Sequence, residues 1–239
     1  MKMENYNETY GYGSQPAVTL THSVSKVMRG VYLRMFLGLI VTAVTAFYVA
    51  SQESMMYAIF SNRFAYWGLI IAELACVFVI SGAINKLSSG VAALLFYVYA
   101  VLNGVVFSSL FWAFDLGSIG YTFLITAGVF GAMTIYGYMT RTDLTKFGSF
   151  LFMALIGLII TSVVNIFVAS SGLEWIISFA GVAIFIGLTA WDTQKIKQMV
   201  QYGDSSQMGK IATLGALSLY LDFINLFLYL LRFFGSSRD

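Results

Sequence analysis

The sequence predicts an all-α integral membrane protein with seven transmembrane helices, and three observations carry that expectation. Hydrophobic residues make up 59% of the 239-residue chain and charged residues 10%, with a mean hydropathy of +0.82, a balance that no water-soluble surface can carry. Apolar runs of about 20 residues recur along the chain, each long enough to cross roughly 30 Å of hydrocarbon. The single proline, Pro16, precedes all of them, so no run is broken as the helices of many carriers are at their binding sites.

Residues 1–29 are polar, rich in Tyr, Asn, Gly, Ser and Thr, and lack the apolar core and cleavage site of a signal peptide. They are expected to form a disordered tail with His22 solvated, and residues 30–239 one transmembrane domain. The first apolar run covers 30–50 and the second 64–84, with Glu73 near its middle in Ile70-Ile-Ala-Glu-Leu-Ala-Cys76. The third covers 90–114, the fourth 118–140 and the fifth 147–170. The sixth, 174–192, ends on Asp192, and the seventh, 211–234, contains Asp222. Glu53, Asp115, Asp143 and Glu174 fall in the connections, where acids need no special role. Cys76, the only cysteine, sits in an apolar run as a buried, inert thiol.

Cytoplasmic loops retain Lys and Arg, and a cytoplasmic N-terminus places ten of the 13 basic residues inside, leaving Arg63, Arg232 and Arg238 outside. A last segment that dipped in and returned would improve the split to 12 against 1. Insertion arithmetic favours crossing: the 13 Leu, Ile and Phe residues between Leu214 and Phe234 contribute about 4 to 8 kcal/mol against roughly 3 for Asp222. With so few charges and a net of +2, no basic track suits nucleic acid.

An acid in hydrocarbon costs roughly 2.5 to 3.5 kcal/mol on insertion scales and marks function by default. Asp222 lies 12 residues after Lys210, about 18 Å along a helix, so it and Asp192 share the cytoplasmic half. Two carboxylates brought together cannot readily both be charged, and such a pair makes a proton-operated switch. Asn225, three residues after Asp222, shares its face and is placed to donate to the carboxylate or line a polar path. Carboxylate oxygens at Asp192, Asp222 and Glu73 suit transient contact with a hard cation such as calcium. Structural alternatives stand beside these: Asp192 as an interfacial cap beside Lys195 and Lys197, Asp222 as a purely structural acid, and Glu73 hydrogen-bonded to Asn103 or Asn165.

Catalysis finds no residues to carry it. The last run has no Schiff-base lysine, and there is no His-Glu-x-x-His, Gly-x-Ser-x-Gly or P-loop glycine pattern. Intramembrane aspartyl proteases pair acids in a membrane, but their Gly-Leu-Gly-Asp setting is absent around Asp192 and Asp222. The chain is expected not to be an enzyme and to need no cofactor.

Three stretches resemble a known family. Ala216-Leu-Ser-Leu-Tyr-Leu-Asp-Phe-Ile-Asn-Leu-Phe227 with Leu230-Leu-Arg-Phe-Phe-Gly235, Thr189-Ala-Trp-Asp-Thr-Gln-Lys-Ile196, and Phe130-Gly-Ala-Met-Thr-Ile-Tyr-Gly-Tyr138 with Asp143-Leu are similar, in order and spacing, to signatures of the Bax inhibitor family, in the style of its bacterial members. The resemblance runs from about residue 24 to the end. It implies six helices around a central C-terminal helix, a bacterial inner-membrane location, and a pH-dependent calcium leak gated by Asp192 and Asp222, with Glu73 as the family's second-helix acid. Where relatives carry an arginine-containing basic cluster thought to latch the first aspartate, this chain has Ala83-Ile-Asn-Lys86, and Lys86 lacks the bidentate fork of arginine. Two rival functions follow: a regulator that binds a membrane partner, such as a membrane-bound protease, and a proton-coupled transporter with Asp222 as carrier.

Overall fold

The computed structural model describes the backbone of residues 17–236 and the side chains of 24–236. All of its elements are helical: α1 (Ala17–Ala50), α2 (Glu53–Phe60), α3 (Arg63–Gly82), α4 (Ser89–Phe107), α5 (Leu110–Ala113), α6 (Leu116–Met139), α7 (Thr145–Val168), α8 (Ser171–Tyr202), a 3₁₀ turn at Ser205–Gln207 and α9 (Met208–Phe234). Seven segments are long and apolar enough to span a membrane, matching the count expected from the apolar runs. Two boundaries move. Helix α1 starts at Ala17, and Val24 and Met28 are buried in the core, so the domain begins before residue 30. The expectations for residues 1–16 and for the His22 side chain lie outside the described residues. Helix α8 continues ten residues beyond Asp192.

Side-chain caps start the helices where the sequence turns polar. Asn62 Oδ1 accepts the N–H groups of Phe64 and Ala65 at 2.9 and 3.3 Å, Ser88 Oγ that of Val91 at 3.2 Å, and Ser170 Oγ that of Leu173 at 3.3 Å. Asp115 Oδ1 caps α6 by accepting from the N–H groups of Gly117 and Ser118 at 2.8 and 3.1 Å. Hydrogen bonding from Ser118, then Gly117, holds this exposed carboxyl below its usual range. A carboxyl depressed in the folded state stabilises the fold above the ordinary value near 3.9, and that contribution disappears as pH falls through the lower folded value. Asp115→Ala is therefore expected to lower Tm in detergent at neutral pH, with the gap from wild type closing as the pH drops below about 4; a pH-independent gap would show that charge is not what the cap uses.

The interior forms around the chain's end. In the most apolar stretch of α9, 67% of residues are buried, against 6% in α3, so α3 spreads its surface to lipid and α9 does not. Helix α9 packs against α1, α3, α4, α6 and α8, while α7 docks on α8. Apolar residues such as Phe78, Ile166 and Phe167 stay exposed on the outer helices, as lipid contact requires.

Small residues set how closely these helices approach. At Gly137 of α6, an added Cβ would fall on the backbone of Ala190 in α8, and at Gly148 of α7 it would fall on the Trp191 ring. Helices α8 and α9 run antiparallel, with Gly181 against Tyr229 and Gly215 against Ile196. That register sets Asp192 beside Ser218 and about one turn from Asp222. On the other side of α9, the Tyr220 hydroxyl lies 2.6 Å from that of Thr42, which also reaches the carbonyls of Ala100 at 2.9 Å and Gly38 at 3.0 Å. This bond ties α1, α4 and α9 together. Buried interhelical bonds in membranes are worth about 0.6 kcal/mol on average, up to about 1.7, so Tyr220→Phe is expected to lower detergent Tm modestly; an unchanged Tm would show that Thr42 is satisfied by the carbonyls alone.

Candidate functional site

Two acids from different helices line one cleft. About 560 Å³ in volume, it lies between α7, α8 and α9. Phe152, Leu155 and Ile159 of α7 form one wall, Phe185, Leu188, Trp191, Asp192 and Lys195 of α8 the second, and Ser218, Leu221, Asp222, Asn225 and Tyr229 of α9 the third. Asp192 and Asp222 thus line the same cleft, from α8 and α9 respectively.

The two carboxyls are not equivalent. Asp222 is 4% exposed, and its Oδ2 is buried without a hydrogen-bond partner. A buried acceptor left unmade carries a desolvation cost of about 1 to 3 kcal/mol, more if charged. Asp192 is half-buried and faces the cleft. Because α8 runs on to Tyr202, Asp192 sits within the helix and caps nothing, which removes the interfacial-cap reading. The two carboxyls lie within electrostatic reach of each other and of Lys195, whose Nζ stands 4.7 Å over the Trp191 ring. No ion pair engages either aspartate among the described residues; the pair present joins Arg232 to Glu174 at 3.6 Å.

Asn225 lines the cleft, but its Nδ2 donates to the Leu221 carbonyl at 2.8 Å and not to Asp222. A carbonyl one turn back is the nearest acceptor for an amide on a helix, so it wins over a side chain on the same face. Glu73 lies elsewhere. It projects from α3 toward Tyr99, Tyr220 and Cys76, outside the cleft, with Oε1 buried and unpartnered. Asn103 does not reach it: Asn103 Nδ2 donates to Tyr99 OH at 2.8 Å, and its own Oδ1 is left without a donor. Asn165 instead caps the α7–α8 junction by accepting from Ser170 N–H at 3.1 Å. Helix α9 therefore stands between two polar sites, presenting Asp222 to one and Tyr220 to the other. Lys86 is exposed in the turn after α3, lines no part of the cleft and forms no ion pair with Asp192 among the described residues.

Lys195, Ser218, Tyr229 and the α7 wall were not singled out as site residues in the sequence. For Lys195 the signal was present: Thr193, Ile196 and Val200 are buried at helical spacing, no Gly or Pro intervenes before Gly203, and Lys195 follows Asp192 by three residues. Gln194 and Lys197 have structural work. Gln194 Nε2 donates to the Thr142 carbonyl and its Oε1 accepts from Leu144 N–H, both at 2.8 Å, and Lys197 Nζ donates to the Tyr138 carbonyl at 2.7 Å.

Ser218 and Asn225 place further side-chain oxygens along the cleft that holds the two carboxyls. Among the described residues no three His, Cys, Asp or Glu side chains cluster as a resident metal cage. A bundle of seven apolar helices enclosing a paired-carboxyl cleft defines a multi-pass membrane protein whose polar chemistry sits inside the hydrocarbon. The model of the family described as "Inhibitor of apoptosis-promoting Bax1" matches residues 24–239, and the chain belongs to this Bax inhibitor family. It is 50% identical over 214 residues to the inner membrane protein YbhL of Escherichia coli (strain K12), covering 88% of this chain and 92% of that one. It is also 47% identical over 217 residues to an uncharacterized protein of Borreliella burgdorferi, covering 90% and 94%, and 43% over 224 residues to the uncharacterized protein RP147 of Rickettsia prowazekii, covering 92% and 94%.

Proposed function

We propose that this protein is a pH-sensitive leak channel for hard cations, calcium foremost, in a bacterial inner membrane, with its N-terminus in the cytoplasm and no catalytic activity. The observation that carries the reading is the shared cleft of Asp192 and Asp222, the latter with a buried oxygen that no protein group satisfies. The membrane location is supported by the seven spans and by the inner-membrane relative. In the closed state one proton shared by the pair holds α9 against α8. Losing it leaves two negative charges about one turn apart, which repel by roughly 3 kcal/mol at an effective dielectric of about 20. That is enough to shift a two-state population by about two orders of magnitude. Helix α9 then yields, water enters the cleft, and Lys195 is positioned to swing from Trp191 toward the new charge. Calcium passes as cargo, held briefly by carboxylate oxygens, with Glu73 farther along the path on the other side of α9.

Liposomes holding a calcium dye test this directly: influx through purified protein should rise from pH 6 to pH 8. No influx above empty liposomes at any pH would sink the channel and favour a regulator that binds a membrane protein such as a protease. Saturable uptake driven by a pH gradient would favour a proton-coupled transporter.

A further inference from the structure

A second cavity, unrelated to the aspartates, is built for a different ligand. It is a groove of about 660 Å³ between α1 and α6, both of which also pack on α8 and α9. We infer that it binds one anionic glycerophospholipid from the leaflet at the N-terminal end of α1.

Length and chemistry both select this occupant. On α1 the groove runs from Ser25 to Phe36, about 16 Å of helix, close to half of the roughly 30 Å hydrocarbon and so the depth of one leaflet. Its deep part is apolar, with Leu33 and Phe36 facing Ile135 across the gap, a surface that an acyl chain covers. Level with these residues the Thr134 hydroxyl is buried and makes no hydrogen bond, while the buried Tyr32 hydroxyl lies within hydrogen-bonding reach of Thr193. Thr193 donates its own proton to the Thr189 carbonyl at 2.8 Å, so its oxygen is left to accept from Tyr32. The Thr134 O–H, buried without an acceptor, fits an ester carbonyl of a glycerolipid, which only accepts. At the rim, Arg29 is exposed and forms no ion pair with any described residue, and its guanidinium fork matches a phosphate. No acidic side chain lines the groove, so it offers no counter-charge to a choline or ethanolamine headgroup. That asymmetry is the source of the anionic preference.

Native mass spectrometry of the purified full chain, titrated with dioleoylphosphatidylglycerol and with dioleoylphosphatidylcholine, reads the site. Wild type should retain one phosphatidylglycerol about fivefold more tightly than phosphatidylcholine, the effect of one basic residue on an anionic lipid. Arg29→Ala should bring the two lipids to parity, Arg29→Lys should keep a reduced preference, and Thr134→Val should weaken both lipids alike. The lysine variant and an unchanged unfolding temperature separate loss of the site from loss of the fold. Equal retention of both lipids by wild type, a preference that survives Arg29→Ala, or a dimer that Ile135→Ala dissolves would each overturn the assignment.

Discussion

Asp222→Asn is expected to give a protein whose calcium influx is the same at pH 6 and pH 8. The substitution keeps the shape of the side chain and its hydrogen-bonding atoms but removes the proton that comes and goes. A switch worked by one proton changes its open-to-closed ratio by at most about tenfold per pH unit, so the wild-type span over this range is bounded at roughly 100-fold, and the variant should fall to about 1. Asp192→Asn should do the same, because either carboxyl alone has no charged partner to repel. The double variant should add nothing, since both residues act as one unit. The measurement is dye-reported influx in liposomes, with detergent Tm as the control for folding. Wild-type pH dependence in either single variant would remove the aspartate pair from gating. Loss of pH dependence together with a collapsed Tm would return Asp222 to a structural role.

The largest expected effect on stability comes from a residue with no side chain. Gly137→Ala should sharply lower Tm, whereas Gly131→Ala, six residues earlier on the same helix, should be neutral or stabilising. At 137 the new methyl would land on the oxygen, carbonyl carbon and Cα of Ala190, and helix backbone cannot turn aside as a side chain can. Overpacking costs about 1 to 3 kcal/mol where side chains can adjust, and this contact belongs at the upper end or beyond. At 131 nothing lies within 4 Å, and exchanging Gly for Ala in a helix gains up to about 1 kcal/mol. Equal Tm values for the two variants would show that α6 and α8 do not meet closely. Because Ala190 precedes Asp192 by two residues, any shift forced at Gly137 also displaces the cleft.

Composition and apolar run length placed all seven spans, since the bilayer imposes one length on every crossing helix. The errors lie at helix ends. Residues 193–202 read as a loop because hydropathy falls, yet they stay helical, with Gln194 bonded to the α6–α7 connection and Lys197 to the last turn of α6. Likewise α1 extends outward to Ala17, beyond the part that lipid requires to be apolar. For the site, Asp192 and Asp222 could be paired from sequence because helical rise gives depth, and two acids at one depth have few places to go. Glu73 shows where that argument ends: it too is an acid inside a span, but on the other side of α9.

By itself, then, the sequence determined the class and the number of spans, which follow from hydropathy and run length, and the family, which follows from the order and spacing of its motifs. Tertiary structure alone decided the position of each group around the bundle axis. That is why Lys195 joins the aspartates while Lys86 does not, why Asn225 turns to a backbone carbonyl, and why an apolar groove with Arg29 at its rim opens between α1 and α6. The angle at which a helix presents its faces depends on contacts such as Gly137 on Ala190 and Gly148 on Trp191, made between residues tens of positions apart, and no local pattern of apolar and polar residues records them.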